Sequence, residues 1–382
     1  MLSGMEPTLA EIRTEIDRID DEILRLLNAR ASLVGRVAQL KERLQVPFYV
    51  PSRERQIIER LTAANPGPFP NQSIRSVFQE IFSACLSLEK TVRVAYLGPE
   101  GTFTHMAARR QFGLSARTIP AGTIAAVFDE VARGGADFGV VPVENSTEGV
   151  VNHTLDTFVE SDLKISAEIV LPISHCLLAR PGLELAQVER VYSHPQALAQ
   201  CRKWLSTHLP RAALVEASST SDAAHRASED AHGAAVASEA AARVHELDIL
   251  RQRIEDVTGN VTRFLLIGRQ QAEPTGRDKT SVLFSTRDTP GSLHRVLGGF
   301  ADRGINMTKI ESRPSRRRPW EYVFFVDLDG HQRDPVLAQA LELARGDCET
   351  LTVLGSYPKA PKDVGPADAP PPEAQSASKG GG

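Results

Sequence analysis

One long helix with a single apolar stripe constrains this chain most. From Thr8 to Arg43, apolar side chains recur at alternating steps of four and three, which is the period of one helical face. At about 1.5 Å per residue the helix is about 54 Å long, longer than a small domain is wide. Such a helix predicts a second copy packed beside it. The stripe consists of Ile12, Ile16, Ile19, Ile23, Leu26, Leu33, Val37 and Leu40.

Arg30 occupies the stripe position between Leu26 and Leu33. An arginine on a buried face needs a fixed anionic partner, and no carboxylate on the stripe supplies one, so a bound anion is a candidate. Lys41 lies about 16 Å further along nearly the same face, and the two cations can bracket a small dianion. Arg13 lies about 26 Å from Arg30 and can reach it only across an antiparallel dimer. The plainer alternative is a helical dimerisation hairpin with surface charges.

Two further helices complete the N-terminal region. The second begins after Pro51, with Ser52 as its predicted N-cap and the charged pair Arg53 and Glu54 in its first turn. On the third helix, Glu89 continues an apolar line that includes Cys85. Burial would favour the protonated, hydrogen-bond-donating form of the Glu89 carboxyl.

These residues, with the contexts Ile-Arg-Thr-Glu-Ile, Asn-Ala-Arg and Ser-Arg-Glu-Arg, resemble the all-helical class of chorismate mutase over residues 8–90. The resemblance implies that Arg30, and Arg13 of the partner chain, bind the carboxylates of chorismate. Lys41 and Glu89 would act at the ether oxygen. The conversion of chorismate to prephenate is an intramolecular rearrangement and needs no nucleophile. It needs the compact conformer to be held in place, and hydrogen-bond donors where negative charge develops on the ether oxygen. The remaining lining implied by the resemblance is Arg53, Glu54 and Cys85.

Two positions depart from that family. Val50 stands where members often have an aspartate that touches the substrate, and Glu89 stands where some have glutamine. Val50 removes one hydrogen bond, and Glu89 makes the site depend on pH. Neither change removes the cationic frame.

The pattern changes after Thr91. Short apolar strands alternate with alanine-rich helices, which predicts an α/β layout long enough for two lobes. Polar clusters lie at the ends of these strands, and each cluster alone is typical of a turn or a helix cap. His175 and His194 taken singly are typical of ordinary hydrogen-bonded histidines. The clusters are Gly98–Thr104, Pro142–Ser146, Ser193–Gln196, Ser219–Ser221 and Asn260–Phe264.

Together and in this order the clusters resemble prephenate dehydratase over residues 92–270, most specifically in Thr-Arg-Phe and Pro-Val-Glu-Asn-Ser. The resemblance implies two α/β lobes of the periplasmic-binding-protein kind with a cleft between them. It places the essential threonine at Thr262, as the donor to the leaving hydroxide. The implied prephenate-binding residues are Thr102, Glu144, Asn145, Ser146, Ser193, His194, Gln196, Thr220, Ser221, Thr262 and Arg263.

A third module follows a polar linker at 270–278. Its β-α-β-β-α-β order predicts a ferredoxin-like fold, and its Thr-Pro-Gly-Ser-Leu, Gly-Ile-Asn and Glu-Ser-Arg-Pro motifs resemble the amino-acid-binding ACT module. Backbone N–H groups at the helix start can hold a ligand carboxylate. A purely structural ACT module is the alternative. The implied effector-binding residues are Gly291, Ser292, Leu293, Asn306, Glu311 and Ser312.

The three segments follow the order of the bifunctional chorismate mutase/prephenate dehydratase of phenylalanine biosynthesis. At 382 residues the chain is too long for a single core. The predicted regions are an all-α, dimeric mutase domain at 5–91, a dehydratase domain at 92–270, an α+β ACT domain at 279–358 and a disordered tail at 359–382. Either Met1 or Met5 fits as the start.

The resemblance also implies partners and excludes others. The substrates would be chorismate and prephenate, the effector L-phenylalanine, and the assembly a homodimer or higher even oligomer. Neither reaction needs a metal or organic cofactor, and no ligand cluster for one is seen. A net charge of −4 argues against a nucleic-acid partner, and no apolar run is long enough for a membrane span. Four scattered cysteines without metal spacing indicate a reduced cytoplasmic protein.

Three rival interpretations remain at this point. One is a dehydratase whose mutase arm has decayed, and another is a dehydratase that prefers arogenate. The third is a non-enzymatic amino-acid sensor, in which a two-lobed binding module is joined to ACT. A sensor would have no use for Thr262 or for the cationic pair of Arg30 and Lys41.

Overall fold

The computed structural model describes residues 8–44, 48–315 and 321–360. These residues form two compact units. One comprises the described residues up to Arg93 together with Arg110–Arg117, and the other comprises Val94–Arg109 and the described residues from Thr118 onward. No helix in the described ranges is long and apolar enough to cross a membrane. All of the predicted tail except Lys359 and Ala360 lies outside those ranges.

The first unit is built on three helices, α1 (Leu9–Leu44), α2 (Pro51–Ala64) and α3 (Asn71–Glu89). Helix α2 begins at Pro51 with Val50 at the N-cap, so the prediction of Ser52 as the cap was wrong. Proline suits the first helical position because that N–H has no intrahelical partner. Helix α1 buries none of its residues within this chain. Every side chain of its apolar stripe is between 44% and 56% exposed, so the chain itself leaves this stripe uncovered.

The second unit begins with alternating strands and helices, as predicted. Strand β11 includes most of the polar cluster Asn260–Phe264, because its hydrogen-bond ladder with β3 continues through Thr262 and Arg263. In chain order the elements are β1 (Arg93–Leu97), α4 (Phe103–Phe112), β2 (Arg117–Ala121), α5 (Ile124–Ala132), β3 (Phe138–Asn145), β4 (Gly149–Val150), α6 (Asn152–Phe158), β5 (Lys164–Pro172), β6 (Cys176–Ala179), a 3₁₀ turn (Leu185–Gln187), β7 (Arg190–Ser193), α7 (Pro195–Gln200), α8 (Arg202–His208), β8 (Ala213–Glu216), α9 (Thr220–Glu229), β9 (Gly233–Ala237), α10 (Glu239–Val244), β10 (Asp248–Arg251) and β11 (Val261–Gly268).

These strands form two sheets, one for each predicted lobe. The first sheet has the order β2-β1-β3-β11-β5, with β4 added beside β3, and the second has the order β10-β6-β9-β7-β8. Strand β11 runs antiparallel to both β3 and β5, so the start of β11 meets the end of β3. Strand β11, the last strand of this region, thus lies inside the first sheet next to β3, which brings Thr262 beside Asn145.

The final module has the predicted β-α-β-β-α-β order. Its antiparallel sheet, in the order β13-β14-β12-β15, has one face covered by the two helices, whose core includes Phe300 and Leu341. The other face packs on the first sheet, where Phe325 and Tyr357 join the hydrophobic core of the first lobe. The elements are β12 (Asp278–Thr286), α11 (Ser292–Ala301), β13 (Met307–Pro314), β14 (Tyr322–Asp329), α12 (Pro335–Asp347) and β15 (Cys348–Pro358).

Strand β15 approaches β5 unusually closely at Gly355. A β-carbon added at this glycine would collide with the backbone of Ile165. Only glycine therefore lets the sheet of the final module lie against the first lobe at this point.

Candidate functional site

Arg30 reaches from α1 onto α3. Its guanidinium Nη1 donates to the Cys85 sulfur at 2.9 Å, and its Cζ lies 5.0 Å from the centroid of the Phe82 ring. Cys85 and Phe82 are buried, whereas Arg30 is half-buried. The guanidinium therefore stands on an apolar floor with its other donors available to an anion.

Lys41 and Glu89 form the second part of this cluster. The Lys41 ammonium donates to the Phe48 carbonyl oxygen at 2.7 Å and lies 3.9 Å from Oε2 of Glu89. That carboxylate oxygen is buried and has no hydrogen-bond partner among the described residues. Burial raises the pKa of Glu89, and the charge of Lys41 partly opposes the rise. A protonated Glu89 would be a donor beside the ammonium.

Glu54 is the third charged group of the cluster. Glu54 is half-buried on α2, and burial raises the pKa of its carboxyl to about 7. Hydrogen bonds from Tyr49 and Gln79 and the positive charges of Arg30 and Lys41 act in the opposite direction and limit this rise. Nothing in the sequence pointed to Tyr49 and Gln79, because neither belongs to a periodic pattern or to a charged motif.

The cluster contains five of the seven predicted chorismate-binding residues, and Arg13 and Arg53 are apart from it. Arg53 is exposed in the first turn of α2. Arg13 is exposed near the start of α1, about 26 Å from Arg30 by helical rise, so one chain cannot bring the two together. The five residues of the cluster are Arg30, Lys41, Glu54, Cys85 and Glu89.

A second polar cluster surrounds Thr262 in the other unit. Thr262 is buried in β11 and pairs in register with Asn145 at the end of β3. The Asn145 amide donates to the Thr262 hydroxyl oxygen at 2.8 Å and to the Asn260 side-chain oxygen at 2.7 Å. Because Thr262 accepts from Asn145, its own O–H remains able to donate elsewhere.

Neighbouring residues hold this pair in place. The Val261 N–H donates to the Ser146 hydroxyl at 2.9 Å. The Asn260 amide donates to Gln200 at 3.1 Å, and the same Gln200 oxygen hydrogen-bonds His175 at 2.9 Å. Asn260 belonged to a predicted polar cluster, but nothing in the sequence singled out Gln200, which comes from the other lobe.

Three hydroxyls fix the turn at Gly98–Thr104, and two of them, those of Thr102 and Ser221, were predicted to bind prephenate. Thr102 donates to the Pro99 carbonyl at 2.9 Å, Ser221 donates to the Glu100 carbonyl, and Ser238 donates to the Gly101 carbonyl at 2.6 Å. Thr220 is the first residue of α9 and lies next to Ser221. These bonds tie the glycine-containing turn to the second lobe.

Two of the three predicted residues of the Ser193–Gln196 cluster, Ser193 and His194, hydrogen-bond to nearby backbone groups. The Ser193 hydroxyl is fully buried and donates to the Val236 carbonyl at 2.6 Å, so it is unavailable to a ligand here. His194 caps α7 by accepting from the Gln196 N–H at 3.4 Å. The Gln196 side chain is exposed. The structure thus gives Ser193 and His194 local roles instead of the predicted binding role.

Arg263 and Glu144 require a correction. The Arg263 guanidinium donates to Asp327 at 2.7 Å, Glu168 at 2.8 Å and the Tyr357 hydroxyl at 2.9 Å. Side chains alternate along a strand, so Arg263 points away from the face that carries Thr262. Glu144 accepts from Lys309 of β13 at 2.7 Å. Both residues link the first lobe to the regulatory sheet rather than lining the predicted prephenate site.

The regulatory module contains an open cavity of about 870 Å³ at the start of α11. Gly291, with φ of +79°, precedes the helix, and Gly291, Ser292 and Leu293 all line the cavity. The buried Ser292 hydroxyl is already bound to the Thr289 carbonyl at 2.5 Å. Lining residues that the sequence analysis missed include Tyr322 and Phe324.

The remaining predicted effector residues lie on or before β13. Ser312 and Glu311 pair in register with Phe324 and Phe325, which places Ser312 beside a cavity-lining residue. Asn306 follows the far end of α11, about 15 Å from Gly291 by helical rise. Within one chain, Asn306 and the cavity are therefore at opposite ends of that helix.

Comparisons with known proteins match all three regions of the chain. The family model of prephenate dehydratase matches residues 94–272, chorismate mutase type II matches 12–90, and the ACT domain matches 280–342. A bifunctional chorismate mutase/prephenate dehydratase of Aquifex aeolicus (strain VF5) is 52% identical over 357 residues, which cover 92% of this chain and 98% of that protein.

Solved structures match the dehydratase and ACT regions together. Prephenate dehydratase from Arthrobacter aurescens in complex with L-Phe has a TM-score of 0.66 at 39% identity, covering 73% of this chain and 93% of that chain. A protein described as a novel type of quorum quenching acylase also has a TM-score of 0.66, at 33% identity, covering 70% of this chain and 98% of its own. The predicted fold classes are confirmed, but this fold alone does not decide the reaction.

Proposed function

Because this chain belongs to the family of bifunctional chorismate mutase/prephenate dehydratases, we propose that its two polar clusters are the two active sites. The cluster of the helical unit rearranges chorismate to prephenate. The cluster around Thr262 converts prephenate to phenylpyruvate, and the ACT module binds L-phenylalanine as feedback inhibitor. The observation that carries this proposal is the pairing of Asn145 with Thr262, a donor held at 2.8 Å from the threonine oxygen in the dehydratase motif.

In the mutase site, the chain supplies electrostatics and not covalent chemistry. Arg30 binds a substrate carboxylate and holds the compact conformer. Lys41 and protonated Glu89, 3.9 Å apart, donate to the ether oxygen as its bond to the ring carbon breaks and negative charge develops there. Glu54 and Cys85 complete the lining.

A second copy of the chain completes this mutase site. The stripe of α1 is exposed along its whole length in one chain, which favours burial against another α1. In an antiparallel pair, Arg13 of one chain reaches Arg30 of the other and binds the second carboxylate. The assembly is a homodimer or a higher even oligomer.

In the dehydratase site, aromatisation supplies the driving force. The ring carboxylate leaves as carbon dioxide, its bonding electrons enter the ring, and hydroxide leaves from the opposite ring carbon. Asn145 holds the oxygen of Thr262, so the threonine O–H donates to the departing hydroxide. The substrate carboxylates are held by Ser146 and backbone N–H groups of the Gly98–Thr104 turn. Arg263 hydrogen-bonds to the sheet of the ACT module and does not contact prephenate, so it supports this site only indirectly.

Regulation follows from the cavity at α11. The carboxylate of L-phenylalanine binds N–H groups at Gly291–Leu293, and its ring packs near Phe324. The Glu311–Ser312 segment, and Asn306 from a second module, close the site between two ACT copies.

The four cysteines are buried and free, which suits the reducing cytoplasm as the location.

The direct test is a coupled assay on the purified full chain. Chorismate is supplied, and prephenate and phenylpyruvate are followed separately, with and without L-phenylalanine. We expect both products in sequence and suppression of phenylpyruvate by L-phenylalanine. Turnover of added prephenate without turnover of chorismate would identify a decayed mutase arm, and turnover of arogenate in preference to prephenate would change the assigned substrate. Absence of both reactions would favour an amino-acid sensor.

A further inference from the structure

A closed ring of hydrogen bonds surrounds the Glu54 carboxyl. The Tyr49 hydroxyl donates to Glu54 Oε2 at 3.4 Å, and the Gln111 amide donates to the Tyr49 oxygen at 2.7 Å. The Gln79 amide donates to the backbone carbonyl of Gln111 at 2.8 Å and also hydrogen-bonds Glu54. Tyr49 is only 4% exposed, so this ring is shielded from bulk water.

Gln111 is an unexpected member of the ring. It lies beyond the residues 12–90 that match the chorismate mutase model, yet it belongs to the same compact unit as the three mutase helices. Its neighbour Phe112 packs on Tyr49 with ring centroids 5.0 Å apart, and the Ser115 N–H donates to the Ser83 hydroxyl at 3.0 Å. Segment 110–117 is thus anchored independently of Gln111.

We propose that Tyr49, Gln79 and Gln111 are positioning residues for the mutase reaction, which hold Glu54 as an ionised acceptor for a hydroxyl of the substrate. This inference rests on the proposed chorismate site. The substrate carries a ring hydroxyl that needs an acceptor, and a carboxylate fixed by two donors can offer its remaining lone pairs in one direction. Gln111 acts at one remove, because its donation to the Tyr49 oxygen turns the Tyr49 O–H toward Glu54.

The charges that face Glu54 define how it titrates. Arg30 and Lys41 face it from α1, Tyr49 faces it from the segment before α2, and Gln79 faces it from α3, while Glu89 lies beyond Lys41. Burial raises the pKa of Glu54 to about 7, and the two donors and two cations limit that rise. Removing a donor therefore raises the pKa further, and the acceptor form is lost at a higher pH.

The test is the pH dependence of mutase kcat/KM for the full chain, which reports groups of the free enzyme. In Tyr49→Phe and Gln79→Met, the acid limb should move upward by about one pH unit, the effect of one hydrogen bond to a charged group. Gln111→Leu should move it in the same direction by less. Gln56→Leu, at an exposed position of the same helix α2, serves as the matched control and should retain the wild-type profile.

Glu54→Gln separates failure of this inference from failure of the site. If Glu54→Gln flattens the acid limb but Tyr49→Phe, Gln79→Met and Gln111→Leu all leave it in place, the positioning role is overturned and the chorismate site stands. If Glu54→Gln itself leaves the mutase profile unchanged, both the site and this inference fall. Because Tyr49→Phe keeps the buried ring, it is the variant that best preserves folding.

Discussion

Replacing Asp327 with asparagine should destabilise the dehydratase and ACT unit through a buried ionic network. Asp327 is 2% exposed and accepts from Arg263 at 2.7 Å and from the Ser281 hydroxyl at 2.5 Å. Glu168, also buried, binds the same Arg263 at 2.8 Å and Lys279 at 2.9 Å. Asp327→Asn keeps the shape of the side chain but leaves one cationic charge of the network without its partner.

The size of the destabilisation follows from the burial of the ion pair. Breaking a buried ion pair by removing one partner costs about 3–5 kcal/mol, because the remaining charge stays desolvated. Glu168 still neutralises part of that charge, so we expect the lower end, about 3 kcal/mol. For a unit of this size about 2 °C per kcal/mol applies, which predicts a fall in melting temperature of about 6 °C.

The effect should depend on pH. Burial opposes ionisation of Asp327 and Glu168, but the charges of Arg263 and Lys279 outweigh it and lower both pKa values. A carboxylate with a lowered pKa stabilises the fold above its unfolded pKa, and that contribution is lost as pH falls through the folded pKa. The difference in melting temperature between wild type and Asp327→Asn should therefore be largest at neutral pH and should shrink below about pH 4.

Calorimetric melting of the full chain measures this directly, with the fluorescence of its two tryptophans, Trp204 and Trp320, as a second probe. The matched control is Asp129→Asn, which removes an exposed pair with Arg133 at 3.3 Å. Exposed helix pairs contribute only about 0.3–0.5 kcal/mol, so the control should melt within roughly 1 °C of wild type. Equal small shifts in both variants would refute a stabilising role for the buried network.

Three further outcomes are expected. Because burial raises the pKa of Glu89, mutase activity should fall as pH rises through that pKa, and Glu89→Gln should flatten this limb of the rate profile; an unchanged profile would remove Glu89 from the donor role. Arg13→Ala and Arg30→Ala should each be nearly inactive as mutases, while mixing them should restore one working site per dimer; no recovery would contradict a shared site. Leu293→Asp should weaken L-phenylalanine binding measured by calorimetry and leave uninhibited dehydratase turnover near normal, whereas wild-type inhibition should reach roughly five- to 150-fold for a coupling of about 1–3 kcal/mol. A wild-type chain that binds no L-phenylalanine would leave the module structural.

Much of the fold was predictable because its signals are local. The steps of three and four along α1 predicted one long helix, and the order of elements after the linker at 270–278 was predicted correctly as β-α-β-β-α-β. Arg263 was predicted to bind prephenate because it adjoins Thr262 in the Thr-Arg-Phe motif, whereas both residues lie in strand β11, which begins at Val261. Once Thr262 and Arg263 lie on one strand, alternation puts them on opposite faces.

Long-range partners were beyond sequence reasoning. Tyr49, Gln79 and Gln111 come from three separate segments, and no period or motif connects them before the chain has folded. Gln200 reaches Asn260 from the other lobe, 60 positions away. Arg13 depends on a second chain, so its role is a prediction that one chain cannot test. Domain boundaries and site assignments likewise stay predictions.

The central claim is that one chain performs two separable reactions in two separate units, and Thr262→Ala tests it most directly. The full-length variant is given chorismate, and both products are followed. Phenylpyruvate formation should fall at least about 100-fold, the effect of losing a donor to developing charge, while prephenate forms at nearly the wild-type rate and accumulates. Equal loss of both reactions, in a variant that melts like wild type, would contradict independent sites, and undiminished phenylpyruvate formation would remove Thr262 from the reaction.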